Sequence, residues 1–167
     1  MKVKLTGIVP ESVIDGPGIR FVLLTKDNNE LTYNREYSIN ELIEEFKCYA
    51  VSVTGITIKG GEPFNQPISL TKFIRKIKIL CGRKYDIIAE TNHSFSDIIK
   101  DKDKVKLVRN LDYIITEPFI KEEADLNLIY RKSTNQKIID VKSTFTNNSV
   151  VEISDKELKK RHFRRGL

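Results

Sequence analysis

The chain has 167 residues, 40% of them hydrophobic and 31% charged, with two cysteines and no tryptophan. This apolar fraction excludes a disordered chain, the length suits one domain around a single core, and no apolar run approaches the roughly 20 residues of a membrane span. The formal charge of +6 is unevenly spread: residues 156–167 carry Lys156, Lys159, Lys160, Arg161, Arg164 and Arg165 against Glu157 alone, leaving 23 basic and 22 acidic residues elsewhere.

The segment from Met1 to Thr6 lacks the apolar core of a signal peptide, so a cytoplasmic protein without a membrane partner is expected. Lys2 to Val9 alternates as a strand, and Asp15-Gly16-Pro17-Gly18 enforces a turn. Ile19 to Thr25 has a buried-strand pattern. It is followed by the turn cluster Lys26 to Glu30 and by Leu31 to Tyr37, which together predict a β-hairpin. Ser38-Ile39-Asn40-Glu41 is a capping box, and Ile39, Leu42, Ile43 and Phe46 follow at helical spacing. Gly55 to Lys59 is the next strand, ending at Gly60-Gly61-Glu62-Pro63. A helix is predicted over 69–80 with Gly82 to end it, then a strand over 85–90 that opens at Thr91-Asn92-His93. Ser94 to Asp97 can cap a polar helical stretch reaching Asn110. Strands follow at Asp112 to Thr116, closed by Glu117-Pro118-Phe119, and at Lys137 to Val141. The domain is taken as residues 1–155, with a basic tail over 156–167.

Strands alternating with helices of about ten residues imply an α/β fold with a mainly parallel sheet. In such folds the site lies at the carboxyl ends of the strands. Gly60-Gly61-Glu62-Pro63, Thr91-Asn92 and Glu117-Pro118 all fall there. Each alone reads as an ordinary strand-to-helix turn; the three together mark a site.

Four segments in this order carry a specific resemblance: Asp15-Gly16-Pro17-Gly18-Ile19-Arg20, Gly60-Gly61-Glu62-Pro63-Phe64, Glu117-Pro118-Phe119, and the run from Arg131-Lys132-Ser133-Thr134-Asn135-Gln136 to Asp140. Over roughly residues 3–145 the chain resembles the activating proteins of anaerobic ribonucleoside-triphosphate reductases, small radical S-adenosylmethionine enzymes. The resemblance implies a partial (βα) barrel in which an iron–sulfur cluster cleaves S-adenosylmethionine and the resulting radical abstracts hydrogen from a glycine of the large reductase subunit. It also implies that Gly60, Gly61 and Glu62 hold the cofactor's methionine amino group; Pro63, Thr91 and Asn92, by their place at the strand ends, complete the expected cofactor-binding set. Glycines let carbonyls approach an ammonium, and a carboxylate accepts from it. A helix N-terminal acid is the plainer role for Glu62.

One departure is equally specific. The family carries a Cys-x3-Cys-x2-Cys loop after the strand matching Ile19 to Leu24, where this chain reads Thr25-Lys26-Asp27-Asn28-Asn29-Glu30-Leu31. Cys48 and Cys81 lie elsewhere, so no metal ligands, no [4Fe–4S] cluster and no catalytic residues are expected, while S-adenosylmethionine stays open as a ligand. The expectation is therefore a degenerate relative, with an N-terminal β-hairpin in place of the cluster loop, that retains ligand or reductase-subunit binding. Two other readings stay open. One is a module that binds an acidic partner or nucleic acid through Lys156 to Arg165. The other is an enzyme of different chemistry that uses Glu62 or His93. His162, within the basic tail, reads as solvated.

Overall fold

A computed structural model describes residues 1–26, 35–82 and 84–165. Among these, eight strands form one sheet: β1 (Lys2–Ser12), β2 (Arg20–Thr25), β3 (Arg35–Ser38), β4 (Gly55–Gly60), β5 (Asp86–Glu90), β6 (Tyr113–Thr116), β7 (Lys137–Asp140) and β8 (Glu152–Ile153). Their spatial order is β3-β1-β2-β4-β5-β6-β7-β8. The centre, β2-β4-β5-β6, is parallel; both flanks are antiparallel. The helices are α1 (Ile39–Tyr49), α2 (Pro67–Cys81), α3 (Phe95–Ile98), α4 (Lys102–Val108), α5 (Val141–Asn147) and α6 (Asp155–Arg165). The fold is mixed α/β. None of the helices is long and apolar enough to cross a membrane.

The expected hairpin between β2 and β3 is corrected by the pairing. β3 hydrogen-bonds to β1, from Lys2 opposite Ser38 to Leu5 opposite Arg35, and β2 lies between β1 and β4. Phe21, Val22 and Leu23 are fully buried on both sides of β2, which suits a strand with two neighbours. Arg35 and Glu36 are exposed, as suits an edge. Of the turn cluster, residues 27–30 lie outside the described residues, as does the start of the following run.

Alternation along each strand divides the core. One sheet face carries Phe21, Leu23, Ile56, Ile58, Ile87, Ala89 and Ile114 against Leu42, Phe46, Phe73, Ile74 and Leu107 of the helices. The other carries Ile88, Tyr113, Ile115 and Ile138, closed by Leu158 of α6. The basic segment is thus no solvated tail: Leu158 and His162 are buried, at 0% and 7% exposure.

The capping box at α1 is present. The Ser38 hydroxyl accepts from the Glu41 N–H at 3.2 Å, and the Ser38 N–H donates to the Glu41 carboxylate at 2.7 Å. Removing it by Ser38→Ala is expected to cost about 1 kcal/mol of stability in urea unfolding. A loss below the error of such a measurement would mean that the box is redundant with packing.

A buried polar cluster closes the amino-terminal ends of the parallel strands. Arg20 is fully buried. It donates to Thr57 Oγ1 (3.0 Å), to the carbonyls of Ile56 (2.8 Å) and Pro17 (3.3 Å), and to the Asp86 carboxylate. The second Asp86 oxygen meets His162 Nδ1 at 2.6 Å. Two glycines make room. A Cβ at Gly55 would lie inside contact distance of the Arg20 guanidinium and Asp86, and one at Gly18, where φ is +72°, would collide with Thr54 and His162.

Candidate functional site

The opposite, carboxyl ends of β4, β5 and β6 bring the motif residues together. β4 ends at Gly60, whose φ of +95° and whose Cβ position, 3.0 Å from the Thr25 carbonyl oxygen, both require glycine. The Gly61 N–H donates to the same carbonyl at 2.9 Å. Pro63 then starts a single 3₁₀ turn, Pro63–Asn65, and the Glu62 carboxylate accepts from the Phe64 N–H at 2.9 Å as its cap.

Glu62 does more than cap. Its carboxylate also accepts from Thr91 Oγ1 at 2.8 and 2.9 Å and from the Asn92 N–H at 3.0 Å. Gly60, Gly61, Glu62, Pro63, Thr91 and Asn92 therefore converge. Glu62 is only 6% exposed, and its oxygens are occupied by the chain's own donors. Its place is as a tie between the turns after β4 and β5. His93 Nε2 lies 4.0 Å from Glu62 Oε2.

A cavity of about 120 Å³ opens beside these turns, lined by Lys59, Gly60, Gly61, Glu90, Thr91, Asn92, Phe119, Lys132 and Gln136. The carboxylate that lines it is Glu90, the last residue of β5, and not Glu62. A row of alternating charge runs past it: Asp15 to Lys59 at 2.6 Å, Lys59 to Glu90 at 3.8 Å, and Glu90 to Lys132 at 3.4 Å. Burial opposes the Asp15 charge, but hydrogen bonds from Lys59 and Ser12 outweigh it and hold the carboxyl below the usual carboxylate range. Burial likewise disfavours the Lys59 ammonium, and Glu90 and Asp15 outweigh it, so that its pKa is raised. The two contacts at Glu90 are longer than a tight ion pair. A polar ligand can enter between Glu90 and either lysine.

The segment after β6 braces the cavity. Glu117 takes a φ of +77°, a conformation costly for a residue with a side chain and concentrated at binding sites. Its carbonyl accepts from Gln136 Nε2 at 3.2 Å, and the Pro118 carbonyl accepts from Asn135 Nδ2 at 2.8 Å. The Gln136 side-chain oxygen accepts in turn from the Lys132 N–H at 2.8 Å. The run from Arg131 to Gln136 is thereby folded against the Glu117-Pro118-Phe119 turn. Sequence reasoning quoted Lys132, Gln136 and Phe119 only inside motifs, and missed Lys59 and Glu90. The signal for the last two was available: each immediately precedes a motif at a strand end.

The match to known proteins is consistent across two comparisons. A model of the family described as 4Fe-4S single cluster domain matches residues 14–139. Curated relatives named anaerobic ribonucleoside-triphosphate reductase-activating protein include one from Haemophilus influenzae, 31% identical over 101 residues, which make up 59% of this chain and 63% of that relative. One from Vibrio cholerae is 26% identical over 148 residues, covering 77% of this chain and 92% of the relative. The chain thus spans less than two-thirds of the Haemophilus influenzae relative's length.

The family match overturns the expectation that no [4Fe–4S] cluster is involved. That expectation counted thiols in one chain, whereas the family model matches residues 14–139 and points to an iron–sulfur cluster. The described residues themselves do not fit one. Cys48 is exposed on α1 and bonded to the Glu44 carbonyl of its own helix, and Cys81 ends α2. Among the described residues no group of three or more His, Cys, Asp or Glu side chains could hold a metal ion.

Proposed function

The chain belongs to the family described as 4Fe-4S single cluster domain, and from that premise we propose that it is a member of the reductase-activase lineage whose strand-end cavity binds the amino-acid end of an S-adenosylmethionine-type ligand. The fold proposed with it is the partial (βα) barrel of radical S-adenosylmethionine proteins, supported by the parallel centre of the sheet and the site at its carboxyl edge. The partner proposed is the large subunit of an anaerobic ribonucleotide reductase or a related glycyl-radical protein, supported by the names of the relatives.

The observation that carries the reading is the pairing of Glu90 with Lys132 and Lys59 across a small cavity walled by Gly60 and Gly61. A ligand ammonium meets the Glu90 carboxylate and the glycine backbone, and a ligand carboxylate meets the Lys132 ammonium. The volume of about 120 Å³ suits an amino-acid group; whole drug-sized ligands fill about 300–1,000 Å³. The rest of the ligand lies at the mouth, beside the half-exposed ring of Phe119. Binding and docking are the activities these residues support.

Calorimetry with S-adenosylmethionine tests this. Glu90→Gln is expected to weaken binding roughly tenfold or more, the loss of one charge-assisted contact worth about 1.5–3 kcal/mol. Glu62→Ala is expected to abolish binding, because Thr91, Asn92 and Phe64 lose the acceptor that holds the two turns together. Absence of binding to the unaltered protein overturns the reading.

A further inference from the structure

We propose that the outward face of α6 is a docking surface for an acidic protein partner. Lys156, Lys159, Lys160, Phe163 and Arg164 are all exposed, and their spacing puts them on one side of the helix. The opposite side is fixed to the domain. Asp155 accepts from Arg131 Nε at 2.9 Å and Nη2 at 2.7 Å, and from the Tyr130 N–H at 2.8 Å. Leu158 is in the core, Arg161 pairs with Asp140 and Glu157, and His162 meets Asp86. The cations are therefore presented by an ordered backbone, and a partner does not have to meet the entropic cost of folding a tail.

Among the described residues, Lys156, Lys159, Lys160 and Arg164 are in no ion pair. Lys2, Lys47, Lys59, Lys100, Lys106 and Lys137 each have an acidic neighbour within 4.0 Å, whereas Lys72, Arg75 and Lys102, on other helices, have none among the described residues either. The α6 face thus groups four exposed cations without an ion-pair partner, with Glu157 of the same helix as the one acidic group acting on Lys160 and Arg164, on a domain that is otherwise near neutral.

The extent and composition of the face select the kind of partner. From Lys156 to Arg164 the helix rises about 12 Å, a short span for tracking a phosphate backbone, where cations are spread along a groove. Within it stands Phe163, 56% exposed and edge-on to His162 with ring centroids 5.4 Å apart. Phe163 supplies the aromatic anchor that protein interfaces favour, and the lysines around it supply the charge complementarity that steers an acidic partner. This inference is independent of the strand-end cavity and survives if that cavity binds nothing.

The experiment uses the full chain and two charge-swap variants that change net charge equally, K159E/K160E/R164E on α6 and K72E/R75E/K102E elsewhere on the exposed surface. Binding to poly-L-glutamate and to a short random-sequence DNA duplex is measured at several salt concentrations, with thermal unfolding to verify that both variants are folded. The expected result is salt-sensitive binding to poly-L-glutamate, weakened on the order of tenfold by the α6 swap and less than about twofold by the other. Equal losses in the two variants would show bulk charge alone and overturn the proposal. So would tighter binding to the duplex through the α6 face, which would assign it to nucleic acid, or no binding to poly-L-glutamate at low salt.

Discussion

Replacing Asp86 with alanine is expected to lower the unfolding free energy by about 3–5 kcal/mol, the cost of leaving a buried guanidinium without its counter-charge. Arg20 is fully buried and keeps only neutral acceptors, Thr57 and the carbonyls of Ile56, Pro17 and residue 86, once the carboxylate is gone. His162 loses its partner in the same step. The double variant Arg20→Met with Asp86→Leu should be less destabilised than Asp86→Ala, because it removes both charges rather than stranding one. Urea titrations of the three proteins decide the matter, and a double variant worse than the single one would show that Arg20 contributes packing that methionine cannot replace.

The same carboxylate sets an acid limit. Burial works against the Asp86 charge, but the hydrogen bond from His162 and the charge of Arg20 outweigh it, so its pKa lies below the ordinary 3.8. A carboxyl whose folded pKa is depressed contributes stability that is complete above its unfolded pKa and is lost as pH falls through the folded value. Stability carried by Asp86 is therefore intact above about pH 4 and declines below it. Unfolding curves of the native protein and Asp86→Ala should converge as the pH drops beneath that point.

Leu158→Ala is expected to cost about 2–4 kcal/mol. Leu158 is fully buried against Ile88, Tyr113, Ile115 and Ile138 and is the one α6 residue in that apolar cluster. With it removed, α6 is held by Asp155, Arg161 and His162 alone, and the exchange protection of its amides should fall more than that of β4 and β5. Unchanged protection across residues 158–164 would mean that the polar anchors suffice.

These two sites also mark where reading the chain in one dimension worked and where it failed. The central strands were legible because β2, β4 and β5 present runs of Phe, Val, Leu and Ile at strand length, and α1 because its capping box and apolar spacing agree. The two strand-end motifs were legible as a pair because glycine is needed at Gly60 and the turn chemistry recurs at Thr91. Glu62 is expected to hold a ligand amino group by resemblance, or to cap a helix; its three donors in the structure come from Phe64, Thr91 and Asn92, the last two about thirty residues away, a tie that no local pattern reveals. The partner of β3 was misread because a local hairpin and a pairing to β1 use the same alternating residues, and only the burial of β2 on both sides separates them. Among the described residues of α6, Asp155, Leu158 and His162 are buried, at intervals of three and four residues among cations, and Leu158 is the apolar one. Asp86, which holds His162, is 76 residues away. A helix whose inward face is that narrow looks in sequence like a solvated tail.

Gly55 carries a consequence for how this protein can change over generations. It holds its place not through backbone conformation but because the Arg20 guanidinium occupies the space a side chain would need, against Asp86. A lineage that acquires a larger residue at position 55 must displace the guanidinium at position 20 from its place against Asp86. Asp86 is then left charged without its cation, and His162 with an altered partner. Substitutions at these four positions are therefore energetically coupled, and they tie the drift of the first strands to that of a helix more than a hundred residues further along.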